Sequence, residues 1–136
     1  MENISKHISF KEATFSNTAI ARKIKNVPDA DTIVRMKLVA EKCFEPVREW
    51  YGKPIKINSF YRSPKLNTAI GGATKSQHVK GEAIDLTAGS VSENKKLYDW
   101  MVKNIEFDQL INEYNYKWIH VSFKMSGNRN MKFNIN

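Results

Sequence analysis

The sequence predicts an α+β fold in which helices pack on a small, largely antiparallel sheet. Three observations carry that prediction. Capped segments with a helical apolar rhythm fill most of the first half of the chain. Short runs rich in β-branched and aromatic residues gather after residue 55. The last two of these runs are separated only by Tyr114-Asn115-Tyr116-Lys117, a hairpin distance. At 136 residues the chain is long enough for one substantial core and short for two, so residues 1–136 read as a single domain.

Each element has its own signal. Ser9 and Glu12 stand three apart and fit a capping box ahead of a short helix over residues 10–15. Ser16-Asn17-Thr18 reads as a break, or as the cap of a second short helix through Ala19-Ile20-Ala21 that must stop before Pro28. A longer helix starts around Asp29-Ala30-Asp31. Ile33, Met36, Val39, Cys43, Val47 and Trp50 give it an apolar stripe that marks it as the main core helix, with a bend expected at Pro46. Gly52-Lys53-Pro54 breaks the chain before a strand from Ile55 to about Arg62.

Ser63-Pro64 opens a helix to Ile70 that Gly71-Gly72 stops. A loop over residues 72–81 leads into the strand Glu82-Ala83-Ile84-Asp85-Leu86. Ser92-Glu93 caps a further helix carrying Leu97, Trp100, Met101 and Ile105 on one side, which makes Trp50 and Trp100 core candidates. Strands over residues 107–114 and 117–123 close the core.

Composition narrows the class. Hydrophobic residues make up 41% and charged residues 26%, a globular balance. The net charge of +8 favours an anionic partner, but the lysines and arginines are scattered and not gathered into a nucleic-acid arm, so no nucleic-acid partner is expected. The single cysteine, Cys43, cannot form an internal disulfide and reads as a small buried hydrophobe. The start of the chain, residues 1–7, has no apolar run of a signal peptide. No stretch reaches transmembrane length, and no membrane partner is expected.

The chemistry concentrates on few residues. There are three histidines, and His7 has no evident partner. His78 lies seven residues before Asp85, with Gly81 between them to permit a sharp turn. Alternation puts Asp85 on the face of Ala83, where a strand carboxylate is costly unless its charge is compensated. In Trp118-Ile119-His120-Val121-Ser122, His120 shares a face with Trp118 and Ser122, away from the more apolar side. Two imidazole nitrogens and one carboxylate suit tetrahedral zinc with a fourth position open, the composition of a catalytic site. On spacing alone the bland reading, polar groups satisfied by ordinary hydrogen bonds, stands beside the metal reading.

Ser76-Gln77-His78, Gly81-Glu82-Ala83-Ile84-Asp85 and Trp118-Ile119-His120-Val121-Ser122 resemble the zinc-site motifs of a known peptidase family. Its members are the peptidoglycan-cleaving D-Ala-D-Ala carboxypeptidases and L-Ala-D-Glu endopeptidases, including phage endolysins. Ser59-Phe60-Tyr61-Arg62-Ser63-Pro64 and Phe107-Asp108-Gln109-Leu110-Ile111 resemble its flanking segments, so the likeness runs from about residue 5 to 130. It implies a D-Ala-D-Ala carboxypeptidase/hedgehog-like fold and one Zn2+ held by His78, Asp85 and His120. It also implies a peptidoglycan stem peptide as substrate, with Arg62 binding substrate or stabilising the oxyanion. Ser76 and Gln77 would line the cleft and either bind peptide amides or support the loop, and Trp118, on the face of His120, is a candidate to flank the substrate.

The sequence departs from the family pattern at the general base. Many members carry an acid three residues before the last zinc histidine, and here that position is Lys117. Glu113 is the nearest acid and closes Gln109-Leu110-Ile111-Asn112-Glu113, which resembles a segment of a subgroup of relatives. If the hairpin sets it beside His120 it serves as base, with a surface salt bridge to Lys117 as its bland alternative and Glu82 as a more remote candidate. The expectation is therefore a monomeric zinc peptidase made in a cytoplasm and acting on the cell wall, after release by a lysis partner if it is an endolysin. A zinc-containing wall-peptide-binding module that has lost turnover is the alternative, motivated by Lys117.

Overall fold

A computed structural model describes residues 3–136; Met1 and Glu2, the start of the stretch read as lacking a signal-peptide run, lie outside the described residues. Helices α1 (Phe10–Thr14) and α2 (Asn17–Arg22) come first. Ser9 and Glu12 form the reciprocal capping box, and the Ser16 side chain accepts from the Ala19 N–H. Asp29 caps α3 (Ala30–Val39), which continues through a π-helical turn (Ala40–Phe44) into α4 (Glu45–Tyr51). The irregularity falls just ahead of Pro46, whose nitrogen has no proton for the Lys42 carbonyl one turn back; the helix widens locally instead of ending.

Strand β1 (Lys56–Ser59) is shorter than the run from Ile55 to Arg62 because its register shifts between Ile57 and Ser59, after which the chain leaves the sheet. Helix α5 (Pro64–Ala69) follows with Ser63 as cap, then β2 (Ala83–Thr87) and α6 (Val91–Asn104). The cap of α6 is Ser90 and not Ser92: the Ser90 side chain accepts from the Glu93 N–H. Strands β3 (Gln109–Glu113) and β4 (Trp118–Ser122) form the hairpin, with Tyr114, Asn115 and Tyr116 all at positive φ.

A fifth strand, β5 (Met131–Ile135), lies beyond the elements that the sequence signals, and it makes the sheet mixed. The order is β1-β2-β4-β3-β5, antiparallel except for the parallel pair β3–β5. The α+β class stands. Ile84, Leu86, Leu110, Ile119 and Val121 face the helices and are fully buried among Met36, Val39, Phe44, Leu97 and Met101. Trp50 departs from its core assignment. It is 48% exposed and stacks on Trp100 at 5.2 Å, so the α4–α6 seam ends at the surface there. Cys43 is buried as expected, and burial pushes its thiol far up from the ordinary value.

Gly81 takes φ +75°, and a Cβ there would lie 3.0 Å from the Thr32 carbonyl oxygen and 2.7 Å from Met36 Cγ. The turn that returns the chain from His78 to β2 therefore sits directly on α3. Gly81→Ala combines left-handed strain with a clash against helix backbone, and it is expected to cost on the order of 2 kcal/mol, read as a lowered Tm.

β5 is tied down at its start. The Asp108 carboxylate, fully buried, accepts from the Arg129 backbone N–H, from Nε at 3.0 Å and from Nη2 at 2.7 Å, while the Met131 N–H donates to the Asp108 carbonyl. The hydrogen bonds from Arg129 hold the Asp108 carboxyl down at about 2. A folded-state value below the unfolded one, roughly 3.9, means stability that is fully present above about pH 4 and lost as pH falls toward 2. Because Arg129 is half exposed, the contribution is about 1 kcal/mol. Asp108→Asn is expected to remove that acid-labile increment, so that melting curves of the two chains differ at pH 6 and converge near pH 2.

Candidate metal centre and its cleft

The sheet face turned away from the helices carries the candidate site. Ser59, Asp85, His120 and Ile111 are register partners in succession on β1, β2, β4 and β3. Adjacent strands lie about 4.8 Å apart, so Asp85 and His120 are placed side by side by backbone pairing alone. His78 arrives from the loop before Gly81. It is held there by the Arg62 N–H donating to its carbonyl and by its own N–H donating to Ser76 Oγ.

The three side chains converge. His120 Nδ1 is 2.9 Å from Asp85 Oδ1, and His78 Nε2 is 3.2 Å from Asp85 Oδ2. The two rings meet edge to face at 5.2 Å. The Phe60 carbonyl, 2.8 Å from His78 Nδ1, can only accept, so Nδ1 carries the proton and the neutral ring turns its Nε2 lone pair toward the cluster. That Nε2 is buried yet has no hydrogen-bond partner among the described residues, since its approach to Asp85 lacks hydrogen-bond geometry. A buried lone pair without a donor is costly. A cation held among these three residues satisfies it, and their donor atoms lie within 4.8 Å of one another. Two nitrogens and one carboxylate oxygen fit a zinc-type site with one side open.

That side opens into a cavity of about 420 Å³. His78, Asp85 and His120 line it, as do Arg62, Ser76, Gln77, Glu113 and Trp118, so the structure brings every sequence-selected site residue to one place. Hairpin register sets Glu113 opposite Trp118, whose Nε1 donates to Glu113 Oε2 at 3.0 Å, and the same oxygen is 4.0 Å from His120 Nδ1. No ion pair between Glu113 and Lys117 forms among the described residues, and Lys117 is not part of the cavity wall. Glu82 is buried against Gln77, outside the wall. Arg62 is aimed by Ser59 Oγ and Asn67 Oδ1, with Nη2 3.7 Å from Asp85 Oδ2. His7 pairs with Glu45 at 2.6 Å, far along the chain, and takes no part.

Electrostatics separates the two acids. Burial pushes the Asp85 carboxyl up, but the imidazoles of His78 and His120 beside it, with the hydrogen bond from His120, outweigh burial and hold Asp85 well below the carboxylate range. Glu113 is raised, first by burial and then by the charge of Asp85, against smaller opposing effects of His120 and Trp118. Arg62 is lowered by burial, with Asp85 and Glu113 opposing.

Sequence reasoning missed several residues here. Gln109 and Ile111 line the cavity and share the face of Glu113 at two-residue steps, a signal that alternation supplies. Arg129 and Ile135 also line it, through a strand whose pairing the sequence does not reveal. Asn26 donates to the Thr14 and Tyr61 carbonyls and accepts from the Ser63 N–H, so it braces the turn that carries Arg62.

Comparison with known proteins agrees with this geometry. A family model described as Peptidase M15 matches residues 6–122, which take in all three clustered donors and leave β5 beyond the match. A zinc D-Ala-D-Ala carboxypeptidase of Streptomyces albus G is 50% identical over 38 residues. That stretch is 28% of this chain and 15% of the relative's length.

Proposed function

The chain belongs to the peptidase M15 family, and from that premise we propose that it is a zinc peptidase hydrolysing peptide bonds in peptidoglycan stem peptides, for lysis or remodelling of the cell wall. The observation that carries the reading is the orphaned His78 Nε2 turned toward Asp85 and His120 at the floor of an open cleft. His78 Nε2, the Asp85 carboxylate and His120 Nδ1 are the atoms that would hold the ion. Bound zinc would supply Lewis acidity, polarising the scissile carbonyl and acidifying the attacking water.

The remaining steps belong to the chain's own side chains. Glu113, oriented by Trp118 Nε1, takes the proton from the attacking water and then delivers it to the leaving amine. Arg62, fixed by Ser59 and Asn67, presents its guanidinium where negative charge develops on the carbonyl oxygen or where a substrate carboxylate docks. Ser76, Gln77 and Trp118 form walls that align the peptide. The +8 charge favours residence near anionic wall polymers and weakens with salt.

The test is zinc content together with mass spectrometry of peptides released from purified peptidoglycan. One zinc per chain and released stem-peptide fragments are expected, and the fragment masses distinguish a terminal D-Ala-D-Ala cut from an internal L-Ala-D-Glu cut. Retained zinc with nothing released from several wall types moves the assignment to a wall-peptide-binding module.

A further inference from the structure

The rows of the sheet do not stop at the metal centre. Beyond His120 the register continues through Ile111 to Phe133 on β5, and in the neighbouring row through Glu113 to Ile135. β5 lies two strands from His120, about 10 Å away. Met131, Phe133 and Ile135 alternate onto one face and are 41%, 36% and 37% exposed, so this short strand turns an apolar strip to water beside the proton-transfer group. Ile111 and Ile135 line the same cavity as the clustered donors.

The lining changes character along β3. One two-residue step, about 7 Å, leads from Ile111 to Gln109, and Arg129 lines the cavity with it. Arg129 is held in place, because the buried Asp108 carboxylate engages its backbone N–H, Nε and Nη2. Its Nη1 has no partner among the described residues. The cleft thus offers an apolar surface next to the reacting centre and a fixed guanidinium roughly one long side chain away.

We propose that β3 and β5 form a side-chain subsite for the substrate residue flanking the cut bond, one with an aliphatic stem and a carboxylate at its tip. Ile111 and Ile135 cover the stem, and Arg129 Nη1 donates to the carboxylate. The inference rests on the peptidase reading above and adds to it the chemistry of one substrate residue. The occupant is part of the substrate because Ile111, Ile135 and Arg129 line the same cavity as the donor atoms, and its tip charge complements a chain of net charge +8.

Three peptides test it, sharing the cut bond and differing only in the flanking side chain: an aliphatic chain ending in carboxylate, the same chain ending in amide, and a methyl group. The wild type is expected to show kcat/KM about tenfold higher for the carboxylate peptide than for the amide. Arg129→Gln brings that ratio near one. Ile135→Ser, which leaves the Asp108–Arg129 clamp intact, lowers both long-chain peptides by about fivefold and spares the methyl peptide. Equal kcat/KM across the series, or a ratio unchanged in Arg129→Gln, overturns the subsite. Calorimetric binding of the same peptides to Glu113→Gln reads the preference without turnover. A wild type that cleaves none while the carboxylate peptide still binds about tenfold tighter keeps the subsite and removes the peptidase reading, whereas equal binding removes the subsite.

Discussion

Glu113→Gln is expected to keep one zinc per chain while lowering kcat for stem-peptide release by about 10²–10⁴-fold, the usual contribution of a positioned general base. Glutamine preserves the shape of the side chain and can still accept from Trp118 Nε1, so the hairpin and the cleft wall stay in place. What is lost is the ability to take a proton. The carboxylate stands 4.0 Å from His120 Nδ1 and outside the group of three converging donors, which is why metal content should not follow activity down. Zinc content by atomic absorption and initial rates on purified peptidoglycan separate the two. Full activity in Glu113→Gln would remove Glu113 from the mechanism. The Lys117 departure from the family pattern is then the feature to revisit, although Lys117 is not part of the cavity wall in this structure.

Asp85→Asn is expected to lower zinc affinity by more than about 100-fold, since loss of a group that merely orients a ligand already costs 10–100-fold. Asp85 is the anionic member of the three, buried between two imidazoles. The isosteric amide keeps an oxygen for His120 but removes the charge that makes burying a dication tolerable. Competition with a chromophoric chelator measures the affinity, and unchanged competition would show that the ion binds elsewhere. Loss of affinity with the fold retained, checked by far-UV circular dichroism, separates a ligand from a structural aspartate.

The two substitutions draw on different parts of the chain's legibility. His78, Asp85 and His120 are legible from motif resemblance and strand alternation, and β2–β4 register sets Asp85 opposite His120. Glu113 is legible as a base only on the condition that the hairpin pairs it near His120. That condition is met because the turn at Tyr114-Asn115-Tyr116 fixes Glu113 opposite Trp118. The helix starts near Ser9, Ser16, Asp29 and Ser63 are legible because each cap is a local hydrogen bond within three residues, although which residue of Ser16-Asn17-Thr18 or Asp29-Ala30-Asp31 makes the cap is decided by the backbone. The cap of α6 slipped by two residues, from Ser92 to Ser90, since both serines offer the same chemistry and only the backbone chooses.

By itself, then, the sequence determined what depends on neighbours along the chain: the helix starts, the face on which Asp85 and His120 lie, the turn at Gly81, and the donor types of a metal site. The tertiary structure alone decided what depends on segments far apart. Trp50 reaches the surface because the α4–α6 seam ends there, and Arg62 is aimed by Asn67 while Asn26 braces its turn. Residues 131–135 join β3 in parallel and bring Ile135 and Arg129 to the cleft. A parallel partner needs a crossing connection, and this one is held by the buried Asp108–Arg129 clamp. Periodicity reports which face a residue occupies, but which strand it will lie beside is settled by long-range contacts that leave no local pattern in the chain.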